Sequence, residues 1–284
     1  MIHSLFDVTG GVILIMVFGL LFFLESRFRL RKRVEGRWKR MSTNFIIAIP
    51  SYTLLRIMLI PAMVWLAIGS QNLKLGLNYQ YQMPAPVKIG VTLLLLDYSN
   101  FIWHILLHRL PFLWRFHLVH HTDLDLDVTT AFRFHFGELI GSVFFRGAVV
   151  FLIGASPVLV LMYEIVFEGA TQFHHSNWKL PIRVERIINK LIVTPRMHGI
   201  HHSKIKTEAD SNFSVILSLW DRLHRTIRLN IHQGDVEVGM PAYAHGMELT
   251  MGYLLKLPFT KIRKWEKMHL RRNSSKNPSG KLYN

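Results

Sequence analysis

The sequence predicts an all-α, multi-pass integral membrane bundle with a cytoplasmic, histidine-rich cap that binds two metal ions. Half of the 284 residues are hydrophobic, and they are concentrated in runs long enough to cross a bilayer as helices. Ten histidines lie in clusters near the ends of these runs, at spacings that place them on shared helix faces. Because the apolar runs are spread over most of the chain, we expect residues 1–284 to form a single membrane domain.

Four apolar segments are predicted to lie in the membrane: spans over residues 8–24, 45–68 and 87–107, and a helical hairpin over residues 139–173. The first run has no charged residue and would be about 26 Å long as a helix, which is a minimal span. The second is expected to bend, if anywhere, at Pro50 or Pro61. The hairpin is predicted because residues 154–157, Gly-Ala-Ser-Pro, break the helix and leave two arms too short for ordinary spans.

The distribution of positive charge predicts the orientation of the chain. Eight Lys and Arg residues follow the first span between Arg27 and Arg40, so this loop is expected in the cytoplasm and the N-terminus outside. The parity of the spans then places every histidine cluster on the cytoplasmic side. A basic tail over residues 261–284 is expected to lie on the membrane surface.

The net charge of +16 would also suit a nucleic-acid-binding protein. The basic residues lie between apolar runs, where anionic lipid headgroups explain them better, so no nucleic-acid partner is expected. The absence of cysteine excludes disulfides and cysteine-ligated iron–sulfur clusters within this chain.

Two charged residues of the hairpin are predicted to form an ion pair. Arg146 and Glu164 each lie nine residues from Ala155, so a reversal of the chain there brings them to the same depth on facing helices. An unpaired charge near the centre of a membrane helix costs about 2.5 to 3.5 kcal/mol on insertion scales, which favours pairing.

The histidine spacings predict a metal site. An H-x-x-x-H motif and two copies of H-x-x-H-H place imidazoles three and four residues apart, where they share one helix face. Neutral imidazole is the commonest metal ligand, and ten imidazoles suffice for two ions with four or five ligands each. The candidates are His104, His108, His117, His120, His121, His174, His175, His198, His201 and His202.

Asp97 is a further candidate, because it lies in the third span on the same helical face as His104 and His108. A carboxylate within a membrane helix is expensive and is a functional candidate for that reason. We expect it either to pair with a cation such as Arg56 or to orient a ligand histidine.

Two metal ions with nitrogen ligands, held at the membrane surface, suit the activation of O2 against a C–H bond of a lipid. A closed structural zinc site needs only four ligands. A membrane metal transporter or permease is the alternative, although transport sites favour broken helices near the midplane in repeated halves. A bis-histidine haem carrier would leave most of the histidines unused.

Six motifs in this order resemble the fatty acid hydroxylase and sterol desaturase superfamily of membrane di-metal oxygenases. They are DYSNFIWHILLH, FHLVHH, TTAFRFHFGE, FHHSNWKLP, MHGIHH and NFSVILSLWDRLHRT, and the catalytic region that they mark covers residues 97–228. The chain departs from the superfamily at Phe136-Gly137 and at His224-Arg225. Neither departure touches a candidate ligand, so they bear on the choice of substrate more than on the chemistry.

The resemblance implies that the ten histidines bind two iron ions, which zinc could replace in a purified form, and that O2 is the co-substrate. It also implies that His135, Asp221 and Asp97 lie next to the ligand histidines and support them without binding the metal themselves. The product would be a hydroxylated or desaturated membrane lipid. Electrons would come from a separate protein, a cytochrome or a ferredoxin with its reductase, since no haem- or flavin-binding domain is visible in the sequence.

The sequence leaves several alternatives open. The lipid could be a sterol, a fatty acyl chain, an ornithine or ether lipid, or a carotenoid. We expect the chain in a bacterial inner membrane, or in the endoplasmic reticulum if it is eukaryotic.

Overall fold

The structure, a computed structural model, describes residues 2–243 and 249–265, with side chains from Thr9 onward. Within these residues the regular structure is helical, and strand-like pairing is limited to isolated bridges such as Arg29 with Trp178. The all-α prediction is therefore confirmed. The α-helices are α1 Ile2–Arg27, α2 Arg37–Leu54, α3 Ile60–Leu73, α4 Leu77–Gln80, α5 Ala85–Arg109, α6 Pro111–His121, α7 Phe136–Ile153, α8 Pro157–His175, α9 Ile182–Ile188, α10 Pro195–His201, α11 Lys206–Ala209, α12 Leu219–Leu223 and α13 Met251–Lys256.

Four helical segments of the described chain are long and apolar enough to cross a membrane: Thr9–Arg27, Arg37–Gln80, Ala85–Arg109 and Phe136–Ile153. They contain the predicted spans 45–68 and 87–107 and most of the predicted span 8–24. The outer surface of the bundle carries large apolar side chains, and Trp65 and Phe144 are more than 70% exposed. Such a surface matches a hydrocarbon environment, in which apolar side chains need no cover from water.

The second segment is longer than predicted and contains a π-helical turn at Leu55–Leu59 between α2 and α3. This turn lies between Pro50 and Pro61, the two positions at which a bend was expected. Pro61 lacks an N–H and its ring crowds the carbonyl one turn earlier, so the regular α-helical hydrogen-bond pattern cannot continue through it.

The residues of the predicted hairpin form α7 and α8, and both helices pack against α3. The expectation that both arms are too short to span a membrane is wrong for α7, which is one of the four candidate spans. Gly154 ends α7 in a left-handed conformation with φ of 70°, which glycine adopts at little cost. The side chains of Arg146 and Glu164 are buried and form an ion pair, as predicted. In the described residues α8 is not among the four candidate spans; its charged residues Glu164 and Glu168 lower its mean hydropathy.

The basic loop after α1 corrects one expectation. Arg31 and Arg40 are buried and contact protein groups instead of lipid headgroups. The guanidinium of Arg31 donates to Pro195 O at 2.5 Å, and that of Arg40 donates to Asp123 Oδ2 at 2.7 Å. Buried arginines need such partners because an unpaired charge away from water is costly.

The segment Asn212–Arg228 contains only the short helix α12. The carboxylate of Asp221 accepts hydrogen bonds from the backbone N–H groups of Phe213 and Ser214 at 2.9 and 2.8 Å. These N–H groups are therefore held in a loop and do not join a helix. Of the basic tail, residues 261–265 are not helical, and residues 266–284 lie outside the described residues.

Candidate metal centre

Four helices bring the candidate histidines together at one end of the bundle. α5 ends at Arg109, Leu110 is extended, and Pro111 occupies the first turn of α6, where its missing N–H costs nothing. This tight turn brings the two histidines of α5 next to the three of α6. The last turn of α8 and the short helix α10 supply the others.

The histidines form two groups in which the potential ligand atoms lie within 4.8 Å of one another. We call them the five-histidine group, which is His104, His108, His117, His121 and His201, and the four-histidine group, which is His120, His175, His198 and His202. Adjacent residues diverge because successive side chains on a helix point about 100° apart. His120 and His121 therefore belong to different groups, as do His201 and His202.

Imidazoles of the five-histidine group are oriented through their Nδ1 atoms. The Nδ1–H groups of His104 and His201 donate to the carbonyl oxygens of Phe213 and Ser211, both at 2.8 Å. That of His117 donates to Glu138 Oε2 at 3.1 Å. An imidazole that donates from Nδ1 presents a bare lone pair at Nε2, which is the form that binds a metal.

The Nε2 atoms of this group support metal binding directly. Those of His108, His117, His121 and His201 are buried and make no hydrogen bond to any described residue. A buried polar atom without a partner is costly, and a cation among converging nitrogen atoms removes that cost. The residues present therefore fit a metal ion.

In the four-histidine group the Nε2 atoms converge on one another. His175 Nε2 lies 3.0 Å from His120 Nε2 and 3.1 Å from His198 Nε2. The Nδ1–H groups of His175 and His120 donate to Thr171 O and Arg133 O, at 2.7 and 3.3 Å. Because their protons are on Nδ1, these two rings direct bare lone pairs at each other, and a cation between them would turn this repulsion into coordination.

His198, His201 and His202, which lie outside the membrane helices, are neutral at physiological pH, as metal ligands must be. Burial lowers the pKa of His201 to about 3. Burial, together with the neighbouring imidazoles, holds the pKa of His198 and of His202 well below its usual value.

A buried polar network supports the loop after α6. Arg40 pairs with Asp123 and Asp127, and Arg133 donates to Val119 O at 3.0 Å and to Asn44 Oδ1 at 2.9 Å. Burial alone would raise the pKa of Asp123, but the charges of Arg40 and Arg133 outweigh it, and the pKa lies below its ordinary value. The network ties α2 to the residues that adjoin His120 and His121.

Four of the predicted site residues lie outside the two groups. His174 is near His198, with ring centroids 4.1 Å apart, but its Nδ1–H donates to Val215 O and it belongs to neither group. His135 accepts a hydrogen bond from Gly137 N at the start of α7. Asp221 accepts a hydrogen bond from Phe213 N, and Phe213 O in turn accepts one from His104. Asp221 therefore supports His104 indirectly.

Asp97 does not orient a ligand histidine, which corrects one of the two roles expected for it. Its carboxylate accepts hydrogen bonds from Leu217 N at 3.1 Å, from the Trp220 indole N–H at 2.7 Å and from the Tyr163 hydroxyl at 3.3 Å. It therefore joins α5 to the segment around α12.

Three supporting groups were missed by the sequence analysis. Glu138 had a detectable signal, since it is a carboxylate in the first turn of an apolar helix. The carbonyl oxygens of Ser211 and Phe213 had none, because every residue has a carbonyl group and only the fold brings these two to the histidines.

A cavity of about 100 Å³ adjoins both groups on the side of the bundle helices. We call it the histidine cavity. Its walls come from α5, α7 and α8, and it is lined by histidines of both groups, including His104, His120 and His198. A molecule that entered between these helices would meet both histidine groups.

Residues 89–226 match the family model for fatty acid hydroxylase. The chain is 26% identical over 182 residues to an ornithine lipid hydroxylase of Rhizobium tropici, covering 63% of this chain and 53% of the relative. It is 30% identical to human cholesterol 25-hydroxylase, over 48% of this chain and 49% of the relative. It is also 30% identical to alkylglycerol monooxygenase of Xenopus tropicalis, over 48% of this chain and 29% of the relative.

The chain spans about half the length of the first curated relatives that it matches. No solved structure gives a significant match to it.

Proposed function

Because the chain belongs to the fatty acid hydroxylase family through residues 89–226, we propose that it is a di-iron, O2-dependent oxidase of a membrane lipid. The observation that carries the proposal is the pair of histidine groups at the inner end of a cavity between apolar helices. Hydroxylation is favoured over desaturation, since the relatives are named as hydroxylases and monooxygenases.

The nine histidines of the two groups are the proposed ligands, with His174 beside them. Two iron ions bound there would supply O2 activation. In hydroxylation one oxygen atom of O2 enters the C–H bond, and the other leaves as water with two electrons and two protons. In desaturation two hydrogen atoms leave the lipid, and both oxygen atoms leave as water with two further electrons and two protons from the electron donor and the solvent.

The residues of the chain orient the ligands and exclude water. Glu138 and the carbonyl oxygens of Ser211 and Phe213 fix the tautomer and direction of three imidazoles in the five-histidine group. The histidines are buried, with His201 and His202 fully inaccessible to solvent. A dry site protects reactive species from side reactions with water.

The substrate is proposed to be a membrane lipid, because the relatives are named for ornithine lipid, cholesterol and alkylglycerol. The electrons are proposed to come from a separate cytochrome or from a ferredoxin with its reductase. The proposed location is a bacterial inner membrane, or the endoplasmic reticulum of a eukaryote, with the histidine groups in the cytoplasm. The transporter alternative has no support from the relatives.

Isotope labelling in cells tests the oxidase proposal. Cells that make the protein under labelled O2 should accumulate a lipid carrying one labelled oxygen, or a lipid with two fewer hydrogens. Cells that make the His202→Ala variant should not. A hydroxylated product whose oxygen comes from labelled water would overturn the proposal.

Cysteine labelling tests the proposed orientation, because the chain has no cysteine of its own. A cysteine placed at Lys204, close to the histidine groups in sequence, should resist a membrane-impermeant thiol reagent applied from outside and react after permeabilisation. Reaction in intact cells would place the histidine groups on the outer side instead.

A further inference from the structure

A groove on the apolar surface of the bundle lies beside the histidine cavity. It runs between α1 and α8 at the π-helical turn Leu55–Leu59 and has a volume of about 200 Å³. We call it the lateral groove, and its apolar walls include Gly11, Leu14, Ile60, Leu161 and Ile165. Ile15 and Ile57, which adjoin lining residues in sequence, are 72% and 66% exposed. The groove therefore opens where lipid chains surround the bundle.

The lateral groove and the histidine cavity share part of their walls. Leu55 and Glu168 line both spaces. The buried pair of Arg146 and Glu164 connects them as well, because Arg146 lines the cavity and Glu164 lines the groove. Charged residues are costly within a membrane, and they commonly mark the path of a substrate. Leu55 and Glu168 therefore lie between the surface of the bundle and the histidines.

The boundary between the two spaces includes side chains that can change position. Glu168 is held there by the Tyr52 hydroxyl, which donates to its Oε2 at 3.0 Å. Leu55 is the first residue of the π-helical turn, and such turns are frequent at functional sites. Changes of side-chain rotamer are faster than movements of whole helices. A passage past these two residues can therefore open without a rearrangement of the bundle.

A second groove on the apolar surface gives a comparison. It lies between α5 and α8, has a volume of about 270 Å³, and is lined by residues that include Leu94 and Met162. Among the described residues, none that lines this second groove also lines the histidine cavity. Of the two grooves, the lateral groove is therefore the one that adjoins the histidine cavity.

Two glycines of α1 shape the lateral groove. A Cβ atom at Gly10 would lie 2.8 Å from Ile165 Cδ1, so α1 packs closely against α8 at this point. A Cβ atom at Gly11 would meet no described atom within 4 Å apart from its own stretch of helix. Gly11 therefore leaves open space in the groove, and a large group attached there would fill it.

The sizes of the two spaces fit a short length of lipid chain. The volumes of about 200 Å³ for the groove and about 100 Å³ for the cavity correspond to about seven and about three water molecules in the liquid. Both spaces have mostly apolar walls. A whole lipid does not fit, so the groove and the cavity would hold only part of its apolar chain.

We infer that the lipid substrate enters sideways from the bilayer, through the lateral groove, and passes Leu55 and Glu168 to reach the histidine cavity. The inference rests on the proposed function and adds the route of its substrate. On this route the lipid reaches the histidines without leaving the membrane. The second groove, between α5 and α8, is not part of the route.

Reversible blocking of the lateral groove tests the route, because the chain has no cysteine of its own. Membranes containing Gly11→Cys are treated with a thiosulfonate reagent that carries a long alkyl chain, washed, and supplied with extract of the same cells as the source of electrons. The attached chain should remove most of the oxidised lipid detected by mass spectrometry, and a thiol reductant should restore it. Iron content should not change, since Gly11 lies outside both histidine groups.

Two further positions serve as matched controls. Leu94→Cys carries the same attached chain in the second groove. Gly19→Cys carries it on α1, at an exposed position with open space around it and outside the lateral groove. Both variants should react with the reagent, as the mass of the intact protein shows, and both should still form the product.

The pattern of the labelled variants decides the outcome. Full activity of labelled Gly11→Cys, or an equal loss in Leu94→Cys, would overturn the route and leave the oxidase proposal intact. Failure of Gly11→Cys to react would mean that the groove is closed to the bilayer, which also overturns the route. If Gly11→Cys is inactive before labelling, Leu14→Cys in the same groove replaces it. If the unaltered protein oxidises no lipid, the oxidase proposal fails and the route falls with it.

Discussion

The five-histidine group and the four-histidine group differ in how their imidazoles are held. In the first, His104, His117 and His201 donate from Nδ1 to fixed oxygen atoms. In the second, His120 and His175 also donate from Nδ1, but the Nδ1 atoms of His198 and His202 are buried without a hydrogen-bond partner among the described residues. Two rings of the second group therefore depend more on the ion itself for their orientation.

This difference matters because the partner of Nδ1 sets both the tautomer and the direction of a ligand histidine. A ring without such a partner loses more freedom when it binds an ion. We therefore expect the five-histidine group to hold its ion more tightly, and the four-histidine group to exchange its ion more readily.

Removal of one ligand from each group should give the largest effects. His201→Ala and His202→Ala should each lower activity by more than ~10³-fold, and the double variant should lose little more, because the ligands act as a unit. Iron content, measured by elemental mass spectrometry, should fall from two ions per chain to one in each single variant.

His174→Ala is the matched control for these variants, because His174 is buried next to the four-histidine group without belonging to it. It should retain both ions. Two ions in His201→Ala, or one in His174→Ala, would contradict the assignment of the groups.

Replacement of the two carboxylates beside the five-histidine group should weaken iron binding to unequal extents. Glu138→Gln removes the charge that His117 donates to at 3.1 Å, and it should weaken iron binding about 10- to 100-fold. Asp210→Asn should do much less, because Asp210 is 3.8 Å from His108 Nδ1 and partly exposed. Titration of iron into the metal-free protein measures the iron affinity of both variants. Equal losses of affinity would mean that the distance from the carboxylate to the imidazole does not matter.

Chelation should separate the two groups in time. With an excess of chelator, iron should leave in two phases, and loss from the four-histidine group should be about tenfold faster, because His198 and His202 lack an outer hydrogen bond at Nδ1. The fast phase should be missing in His202→Ala and the slow phase in His201→Ala. A single phase in the unaltered protein would show that the two groups hold iron equally.

Asp221→Asn should have the smallest effect on activity, and only through the five-histidine group. Asp221 holds the backbone N–H groups of Phe213 and Ser214, and Phe213 O accepts from His104. The asparagine side chain would turn its NH2 group toward one of these N–H groups and could not accept its hydrogen bond. This should lower the free energy of unfolding by about 1–3 kcal/mol, measurable by thermal denaturation. Loss of iron from the four-histidine group instead would contradict the connection through the loop.

The spacing of the histidines predicted much of the site, because helical geometry is local. His104 with His108, and His198 with His202, lie four residues apart and share a group. The same geometry separates His120 from His121. Helix angle alone was not sufficient to divide the ligands: His117 and His120 lie three residues apart and were expected to share a face, but they belong to different groups, as do His198 and His201.

The remaining features depend on contacts between distant parts of the chain. The carbonyl oxygen of Phe213 reaches His104 from a loop whose N–H groups at Phe213 and Ser214 donate to Asp221. Asp97 was expected to orient a ligand histidine only because it shares a helix face with His104 and His108, whereas its carboxylate accepts a hydrogen bond from Trp220. The Arg146–Glu164 pair was predictable, because a hairpin with a strong helix break relates its two arms by simple counting.

Anomalous diffraction at the iron edge tests the central claim most directly. Crystals of the iron-loaded protein should show two peaks, one among the Nε2 atoms of His108, His117 and His201 and one among those of His120, His175 and His198. A single peak, or peaks outside the two groups, would contradict the claim that these histidines hold two iron ions.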